Sequence, residues 1–303
     1  MRRHKVRKIK LPKVSTVKPL NNKNVKLKNK YVKDYKYKHK SYNHKINLSF
    51  NVNKELYTWI ESKKIGIIFH IFYEDLLDEI IENLESLTFN FDLWIVYPKG
   101  SRFEHALTKC KEKLKNLKPY YMSCNNTGKD IGGKLTVLNC IIKGEYDYDY
   151  LLFAHDKKSL HIRNEVGGKW RKSLYKGIFN KENVNRIFNG FCNDKAIKMC
   201  GPTVREGECN SKEIAVNKKN YPLMKELLSL LFNKKIPHSG AFVAGSMFYV
   251  DYNYFKSIFE KINIDNIIKL LESGDVREPS YAHAMERVFG LIVTMNNFKI
   301  GNV

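Results

Sequence analysis

The sequence lacks the cysteine and apolar patterns that mark several large classes of protein. Its six cysteines include no Cys-x-x-Cys pair and no histidine at zinc-ligand spacing, so they indicate neither a zinc site nor a disulfide framework. No apolar run approaches the ~18–20 residues that span a bilayer, and no apolar secretory segment follows the basic N-terminus. We therefore expect reduced thiols and a cytoplasmic location.

Acidic residues are also few relative to basic ones, above all near the N-terminus. The chain has 54 Lys and Arg against 31 Asp and Glu, and residues 1–45 hold 17 of the basic residues with a single acid. A segment this charged and this poor in large aliphatic residues cannot bury enough surface to fold, so residues 1–48 are predicted to form a disordered Lys-rich tail. It is either a plain solvated extension or a surface for anionic membranes, with nucleic acid as a less favoured partner.

The remainder of the chain, residues 64–303, alternates between buried strands and amphipathic helices. Apolar runs at Ile65–Phe72 and Phe91–Pro98 flank a stretch with helical apolar spacing, which predicts a βαβ unit. A capping-box signature then predicts a helix over residues 102–116. This order of elements predicts one α/β domain with a Rossmann-like layer architecture.

No GxGxxG fingerprint and no P-loop is present, so a dinucleotide or ATP site is poorly supported. Instead, Gly128 and Gly132 flank Asp130 just before an amphipathic helix. Glycines at the start of a helix allow backbone N–H groups to approach an anion. We assign these three residues to the binding of a charged ligand, with an ordinary capped turn as the alternative.

A second polar group follows the predicted strand Tyr148–Ala154. Ligands of open α/β sheets bind beyond the carboxyl ends of the strands, and this strand ends in imidazole, carboxylate, ammonium and hydroxyl groups. The group consists of His155, Asp156, Lys157, Lys158 and Ser159. Its carboxylate is a candidate ligand for a divalent cation on a diphosphate, and its lysines are candidate partners of the diphosphate itself. His70, in the first predicted strand, is assigned to the same binding group.

Two later segments carry further candidates. Phe242–Val250 is predicted to form one strand with Gly245 and Ser246 at its centre, where a missing side chain permits close approach of a ligand or marks a bulge. Trp170 and Arg171 stand in a stretch that predicts an amphipathic helix with the indole in the core.

The segment EPSYAHAMERVFG predicts a helix that is capped by Ser280. Helical spacing places His283, Glu286 and Arg287 on one face, where they can act together. A carboxylate and an imidazole on one face can supply a general base. The alternative is an ordinary surface ion pair between the glutamate and the arginine.

Six short segments of the chain resemble, in order, the motifs of the rhamnan synthesis protein F family, glycosyltransferases of bacterial cell-surface polysaccharides. The segments are NTGKDIGG, HDKKS, GGKWRKSLYKGI, CGP, FVAGSMFYV and HAMERVFG. The resemblance covers roughly residues 64–300. It implies a domain of the A-type glycosyltransferase fold that binds a nucleoside-diphosphate sugar as donor.

The resemblance also implies roles for the strand-end group. A-type enzymes hold a divalent ion with an Asp-x-Asp at this place, whereas HDK supplies one carboxylate. Either Asp156 with His155 binds Mn or Mg, or the leaving diphosphate is stabilised without a metal. In the second case, which we favour, the cations are Lys157, Lys158 and Arg171.

By the same resemblance, Glu286 is the first choice of base and His283 the second. The matching stretch GGKWR assigns Trp170 and Arg171 to the donor pocket, with the amphipathic helix as the alternative. Gly245, Ser246 and Arg287 are expected to form the sugar and acceptor pocket. We expect an inverting transferase that moves rhamnose or another deoxyhexose to a glycan or lipid-linked acceptor. The alternative is a nucleic-acid-binding protein in which the basic tail acts and the α/β domain is a catalytically silent scaffold.

Overall fold

The computed structural model describes residues 44–49, 54–158, 164–208, 219–232, 237, 239–274 and 276–303. Residues 1–43 of the predicted tail and Ser159 of the strand-end group lie outside these ranges. Within the described ranges, no helix is both long enough and apolar enough to cross a membrane.

Two elements precede the predicted start of the domain. Strand β1 (Lys45–Asn47) falls within the segment predicted as a tail, and it pairs in parallel with the last strand of the chain. Helix α1 (Lys54–Glu61) follows it. The described fold therefore begins before the predicted boundaries at residues 48 and 64, because backbone pairing to a neighbouring strand holds this short polar segment in place.

The other elements alternate along the chain. The further strands are β2 (Ile65–His70), β3 (Asp92–Pro98), β4 (Tyr120–Cys124), β5 (Tyr150–His155), β6 (Ile197–Gly201), β7 (Val204–Glu208), β8 (Ser239–Val243), β9 (Phe248–Asp251) and β10 (Lys299–Asn302). The further helices are α2 (Leu77–Glu85), α3 (Arg102–His105), α4 (Leu107–Leu114), α5 (Lys129–Lys143), α6 (Asn164–Phe179), α7 (Lys181–Asn193), α8 (Tyr221–Phe232), α9 (Tyr252–Phe259), α10 (Ile264–Leu270) and α11 (Tyr281–Thr294).

Eight strands form one central sheet in the order β1-β10-β6-β9-β5-β2-β3-β4. All its described pairings are parallel except those of β9, which runs antiparallel to both β5 and β6. Strands β7 and β8 form a separate antiparallel pair. The predicted α/β class is thus confirmed as a mixed α/β fold with a mostly parallel central sheet.

Helices cover both faces of the sheet, which explains why its central strands are buried along their whole length. All six residues of β2 are buried. Ile68 and Phe153 belong to the hydrophobic layer that also contains α5 and α11, whereas Ile67 and Leu152 belong to the layer with α6 and α7. Alternate side chains of each strand therefore enter different layers, as expected for parallel strands buried on both faces.

The strand order reverses at β2. The chain moves outward from β2 through β3 to β4, then returns to place β5 on the opposite side of β2. At the carboxyl ends of these two adjacent strands, His70 and His155 are directly paired in register. A reversal of this kind leaves a crevice beyond the strand ends, which is where ligands of open α/β sheets bind.

Two predicted elements differ from the structure. The single strand predicted over Phe242–Val250 is divided into β8 and β9, which belong to different sheets. The chain reverses between them because Gly245 (φ 92°) and Ser246 (φ 48°) both adopt positive φ angles. The helix predicted over residues 102–116 is also interrupted, since Ala106 leaves helical geometry between α3 and α4 (ψ 17°).

Candidate functional site

A cleft of about 320 Å³ opens at the carboxyl edge of the sheet, where the strand order reverses. Its walls come from the start of α5, the end of β5, the turn between β8 and β9, and α11. Nine of the predicted site residues line it: Asp130, His155, Lys157, Trp170, Gly245, Ser246, His283, Glu286 and Arg287. The fold therefore brings together residues that are more than 150 positions apart in the sequence.

Two parts of this cleft carry most of the predicted residues that line it. We call residues 155–158, which follow β5, the basic strand end. We call the β8–β9 turn (residues 244–247) together with α11 the carboxylate wall. Six predicted residues are not among those that line the cleft: His70, Gly128, Gly132, Asp156, Lys158 and Arg171.

The Asp156 carboxylate is used by the backbone beside it. Its Oδ2 atom accepts hydrogen bonds from the N–H groups of Phe72 (2.7 Å) and Tyr73, which follow β2. Burial raises the pKa of Asp156 to about 7, although these two donors lower it. The carboxylate thus fastens the end of β5 to the segment after β2, away from the cleft.

Lys158 and Arg171 also have partners outside the cleft. The Lys158 ammonium pairs with Asp75 and lies 4.8 Å from the centre of the Tyr73 ring. The Arg171 guanidinium binds the Glu79 carboxylate through two nitrogens, at 3.2 and 2.9 Å, and donates to the Lys157 carbonyl at 3.0 Å. Arg171 therefore supports the backbone of the basic strand end without lining the cleft.

Gly128 and Gly132 are required by packing at the start of α5. A Cβ atom on Gly128, whose φ is 66°, would lie 2.5 Å from Leu271 Cδ1. A Cβ atom on Gly132 would lie 2.0 Å from the carbonyl oxygen of Thr127. These contacts favour the alternative of a tightly packed capped turn over direct ligand approach.

His70 is buried beneath the edge of the cleft. Its ring packs against Gly133, where an added Cβ would lie 2.5 Å from His70 Cδ2. Neither ring nitrogen has a hydrogen-bond partner among the described residues. Burial lowers the pKa of His70 to about 4, so the ring is neutral at physiological pH.

A buried lysine that was not predicted connects three walls of the cleft. The Lys134 Nζ atom, on α5, lies 2.6 Å from Asp130 Oδ2, 3.0 Å from His155 Nδ1 and 2.6 Å from the carbonyl oxygen of Ser246. The Ser246 hydroxyl donates to the same Asp130 oxygen at 2.7 Å. Although burial alone would raise the pKa of Asp130, His155 and Lys134 hold it well below its ordinary value.

On the carboxylate wall, Ser280 caps α11 as predicted by accepting the His283 backbone N–H. Glu286 is partly accessible, with 18% of its side chain exposed. Its Oε1 atom accepts the Gly245 N–H at 2.6 Å, and its Oε2 atom lies 3.2 Å from an Arg287 nitrogen. The carboxylate is therefore fixed in place at the surface of the cleft.

The imidazole of His283 lies next to Glu286 on the same face of α11. Its Nδ1 atom is 2.6 Å from the Ser280 hydroxyl. Burial lowers the pKa of His283, and the positive charge of Lys129 lowers it further. The ring is therefore predominantly neutral at physiological pH and remains able to accept a proton.

Arg287 belongs mainly to the protein scaffold of this wall. It donates to the His283 carbonyl at 2.7 Å and to Glu278 at 2.8 Å, and its guanidinium lies 5.1 Å from the centre of the Phe242 ring. These contacts hold the guanidinium against the wall. The ion pair between Glu286 and Arg287 that was considered as an alternative is present in the structure.

The cations of the cleft surround these carboxylates. The Lys157 ammonium lies 4.0 Å from the centre of the Trp170 ring. Burial lowers the pKa of Lys157, while the charges of Asp130 and Glu286 raise it, so both carboxylates act on this ammonium. The lining has four basic and three acidic side chains, and the charge of one acid, Asp130, is already neutralised by Lys134 behind the cleft. The cleft therefore has an excess of positive charge, which suits an anionic ligand.

Sequence reasoning missed several lining residues, among them Lys129, Arg205, Phe242 and Glu278. A signal for Lys134 was available: it stands four residues after Asp130, on the same helical face as Ile131, Leu135 and Leu138, which are buried. A lysine on an apolar face requires a buried partner. Arg205 gave no comparable signal, because it lies beside Phe242 through the pairing of β7 with β8, which no local pattern indicates.

The described residues do not fit the divalent cation that the resemblance to A-type enzymes implies at this place. The Asp156 carboxylate binds backbone N–H groups, and His155 Nδ1 is within hydrogen-bond distance of Lys134. In the described part of the chain, no three His, Cys, Asp or Glu side chains are grouped so that they could hold a metal ion. Oxygen ligands of Mg²⁺ or Mn²⁺ would have to come largely from elsewhere.

Comparison with known proteins gives two results. The family model for rhamnan synthesis protein F matches residues 4–298. A protein named "Uncharacterized protein WxcX", from two strains of Xanthomonas campestris pv. campestris, is 23% identical to the chain over 259 residues. The match covers 82% of the chain and 34% of each relative, so the chain spans about a third of the length of these curated proteins.

Proposed function

We propose a glycosyl-transfer function on the premise that this chain belongs to the rhamnan synthesis protein F family. The proposed enzyme moves a sugar from a nucleoside-diphosphate donor to a glycan or lipid-linked acceptor. Rhamnose or another deoxyhexose is the proposed sugar, because the family is named for the synthesis of a rhamnose polymer. The reaction takes place in the cleft at the carboxyl edge of the central sheet.

One observation supports this proposal most directly: a carboxylate held by a backbone N–H and an ammonium packed over an indole ring line the same cleft. Glu286 is held by the Gly245 N–H on one side, and Lys157 is held over Trp170 on the other. Sugar transfer from a nucleotide donor needs both kinds of group, because a proton leaves the acceptor while negative charge develops on the diphosphate.

In the proposed reaction, Glu286 takes the proton of the acceptor hydroxyl. The acceptor oxygen forms a bond to the anomeric carbon as the bond from that carbon to the donor diphosphate breaks. The electron pair of the broken bond remains on the nucleoside diphosphate, where Lys157 and Lys129 counter the charge. A single displacement of this kind inverts the configuration at the anomeric carbon.

His283 is the second candidate for the base. Its neutral imidazole can accept a proton, and the Ser280 hydroxyl orients the ring through Nδ1. Glu286 is preferred because the Gly245 N–H fixes its carboxylate at the surface of the cleft. Separate substitution of Glu286 and His283 distinguishes the two candidates.

The position of the cations supports a reaction in which the leaving diphosphate is stabilised without a metal. Lys157 belongs to the basic strand end and lines the cleft, whereas the carboxylate next to it, Asp156, does not. An ammonium can neutralise a diphosphate as a point charge. The proposed reaction therefore uses Lys157 as the counter-charge and no divalent ion.

A thermal-shift screen of the full chain against nucleoside diphosphates and their sugars tests the proposed function. A ligand that binds only the folded state at 100 times its dissociation constant stabilises the protein by ~2.7 kcal/mol, which is readily measured. A shift with one nucleoside diphosphate and its sugar, followed by transfer of that sugar to an acceptor, is expected. No shift with any of these nucleotides would contradict the proposal.

The basic tail is proposed to bring the enzyme to an anionic membrane that carries a lipid-linked acceptor. The basis is the concentration of 17 Lys and Arg in residues 1–45, since each basic residue near an anionic surface contributes ~1 kcal/mol. Removal of residues 1–43 should weaken binding to anionic vesicles and leave donor binding intact. Loss of donor binding or transfer on truncation would instead favour a tail-driven function such as nucleic-acid binding.

A further inference from the structure

Lys134 occupies a position where a lysine is seldom found. It lies in the second turn of α5, and none of its side-chain surface is exposed. An unpaired buried ammonium would cost several kcal/mol, so the fold must supply partners for it. An ammonium has three N–H donors, and the structure offers a carboxylate oxygen, a carbonyl oxygen and an imidazole nitrogen at 2.6 to 3.0 Å.

The three partners of Lys134 belong to three different walls of the cleft. Asp130 lies in the first turn of α5, His155 ends β5, and Ser246 lies in the β8–β9 turn. Each of these residues also lines the cleft, although Lys134 does not. The lysine therefore joins the walls from behind without being available to a ligand.

The contact with the β8–β9 turn has a direct consequence for Glu286. Ser246 has a φ angle of 48°, which is uncommon for a residue with a side chain, so this turn needs contacts that hold it. Lys134 binds the Ser246 carbonyl oxygen at 2.6 Å, and the preceding residue, Gly245, donates its N–H to Glu286 at 2.6 Å. The lysine and the carboxylate thus hold adjacent residues of one short turn.

We infer that Lys134 is a positioning residue: it holds the β8–β9 turn in the conformation that aims the Gly245 N–H at Glu286. The catalytic consequence of this inference rests on the proposed function, in which Glu286 is the base. The link between Lys134 and the turn is a property of the fold and can be tested separately.

The same contacts determine the state of His155. Because an ammonium can only donate, His155 Nδ1 accepts from Lys134, and the proton of the neutral ring is on Nε2. Burial keeps the pKa of His155 well below its ordinary value, which is consistent with a neutral ring. Lys134 therefore leaves His155 with an N–H donor on a ring that lines the cleft.

The first test measures hydrogen exchange of the full chain in residues 243–248. In Lys134→Met, we expect exchange of this segment to increase at least ~10-fold, because the Ser246 carbonyl loses its ammonium. Lys134→Gln keeps an N–H donor and should show a smaller increase. Lys143→Met, which removes an exposed lysine from the same helix, is the matched control and should leave the turn unchanged.

Exchange in β2 separates a local effect from general loss of stability. An increase in the turn that exceeds any increase in β2 supports the positioning role. An equal increase in both segments, or no increase in the turn, overturns it. If Lys134→Met does not fold, the comparison is made with Lys134→Gln, for which an unchanged turn overturns the inference in the same way.

The second test is a double-mutant cycle on sugar transfer. If Lys134 acts through Glu286, the kcat of Lys134→Met should fall at least ~10-fold, and Glu286→Gln/Lys134→Met should be no slower than Glu286→Gln alone. Additive losses would overturn the proposed link. A wild-type protein without transfer activity would contradict the proposed function, while the exchange measurement would still decide the positioning role.

Discussion

The basic strand end and the carboxylate wall both carry predicted ligand-binding residues, but they direct these residues to different places. On the carboxylate wall, Gly245, Ser246, His283, Glu286 and Arg287 all line the cleft. At the basic strand end, only His155 and Lys157 do. The other described residues there, Asp156 and Lys158, bind the segment that follows β2.

The difference follows from the geometry of the two elements. A helix repeats its face every three to four residues, so His283, Glu286 and Arg287 point to one side together. Successive side chains of a strand alternate in direction, and the basic strand end continues this pattern: His155 and Lys157 line the cleft, whereas Asp156 and Lys158 do not. Charge clustering in a sequence is therefore a better guide to a site on a helix than at a strand end.

The largest expected effect is on the carboxylate wall. Glu286→Gln should retain donor binding and reduce transfer at least ~100-fold, since general-base contributions are typically ~10²–10⁴-fold. Glutamine keeps the size of the side chain and an acceptor for the Gly245 N–H. Steady-state kinetics and donor titration provide the measurement, with the exposed Glu260→Gln as the matched control.

Near-normal transfer in Glu286→Gln together with an inactive His283→Ala would move the base to His283. Normal rates in both variants would remove α11 from the chemistry. The wall would then be a structural element, and the comparison between the two parts of the cleft would lose its functional meaning.

The central sheet was predictable because its signals are local and repeated. The apolar runs of β2 and β3 and the helical spacing of α2 lie within about 35 residues, and the cap of α11 at Ser280 follows from the residue type. The boundary between β8 and β9 was not predictable in this way. Positive φ angles at Gly245 and Ser246 reverse the chain inside a run that is otherwise apolar.

The candidate site was predicted only in part for a related reason. The residue types were informative, but the direction of Asp156 depends on N–H groups at Phe72 and Tyr73, which are more than 80 positions away. Arg171 was placed in the pocket, yet its guanidinium is taken by Glu79 on α2. Partners of this kind are set by tertiary packing, which no local pattern in the chain encodes.

The second prediction tests the structural role of Asp156. Its folded-state pKa of about 7 exceeds the ordinary value of 3.8, so the folded state retains a proton that the unfolded state loses as the pH rises between these values. Stability should therefore decrease from pH ~4 to pH ~7 and show no further loss from this group above that range. Asp156→Asn lacks this titration and should gain about 4 kcal/mol relative to wild type across the window, since each pKa unit corresponds to ~1.36 kcal/mol.

Urea unfolding of both proteins at several pH values measures this difference. The exposed Asp78→Asn provides the control. Parallel stability curves for wild type and Asp156→Asn would contradict the assignment, because they would mean that the carboxyl group has the same pKa in the folded and unfolded states.

The third prediction compares two neighbouring lysines of the basic strand end. Lys157→Ala should weaken binding of a nucleoside diphosphate by ~1.5–3 kcal/mol, since a charge-assisted contact is lost, with a smaller effect on free sugar. Lys158→Ala is the matched control and should have little effect, because its ammonium pairs with the exposed Asp75. Calorimetric titration gives both affinities. Equal losses in the two variants would mean that the alternation of the strand end does not determine ligand contact.

The smallest expected effect is that of a chelator, which should leave donor binding and transfer unchanged. Both members of the predicted metal pair have other partners: Asp156 accepts two backbone N–H groups, and His155 Nδ1 accepts from Lys134. To bind a cation, Asp156 would have to give up its contacts to the segment after β2, at the cost of leaving two N–H groups unpaired. Transfer by the wild type in EDTA and transfer by Asp156→Asn are two independent measurements of whether Asp156 holds a metal ion. Loss of activity in EDTA with recovery in Mn²⁺, together with an inactive Asp156→Asn, would assign Asp156 to a metal and give the basic strand end a second catalytic residue.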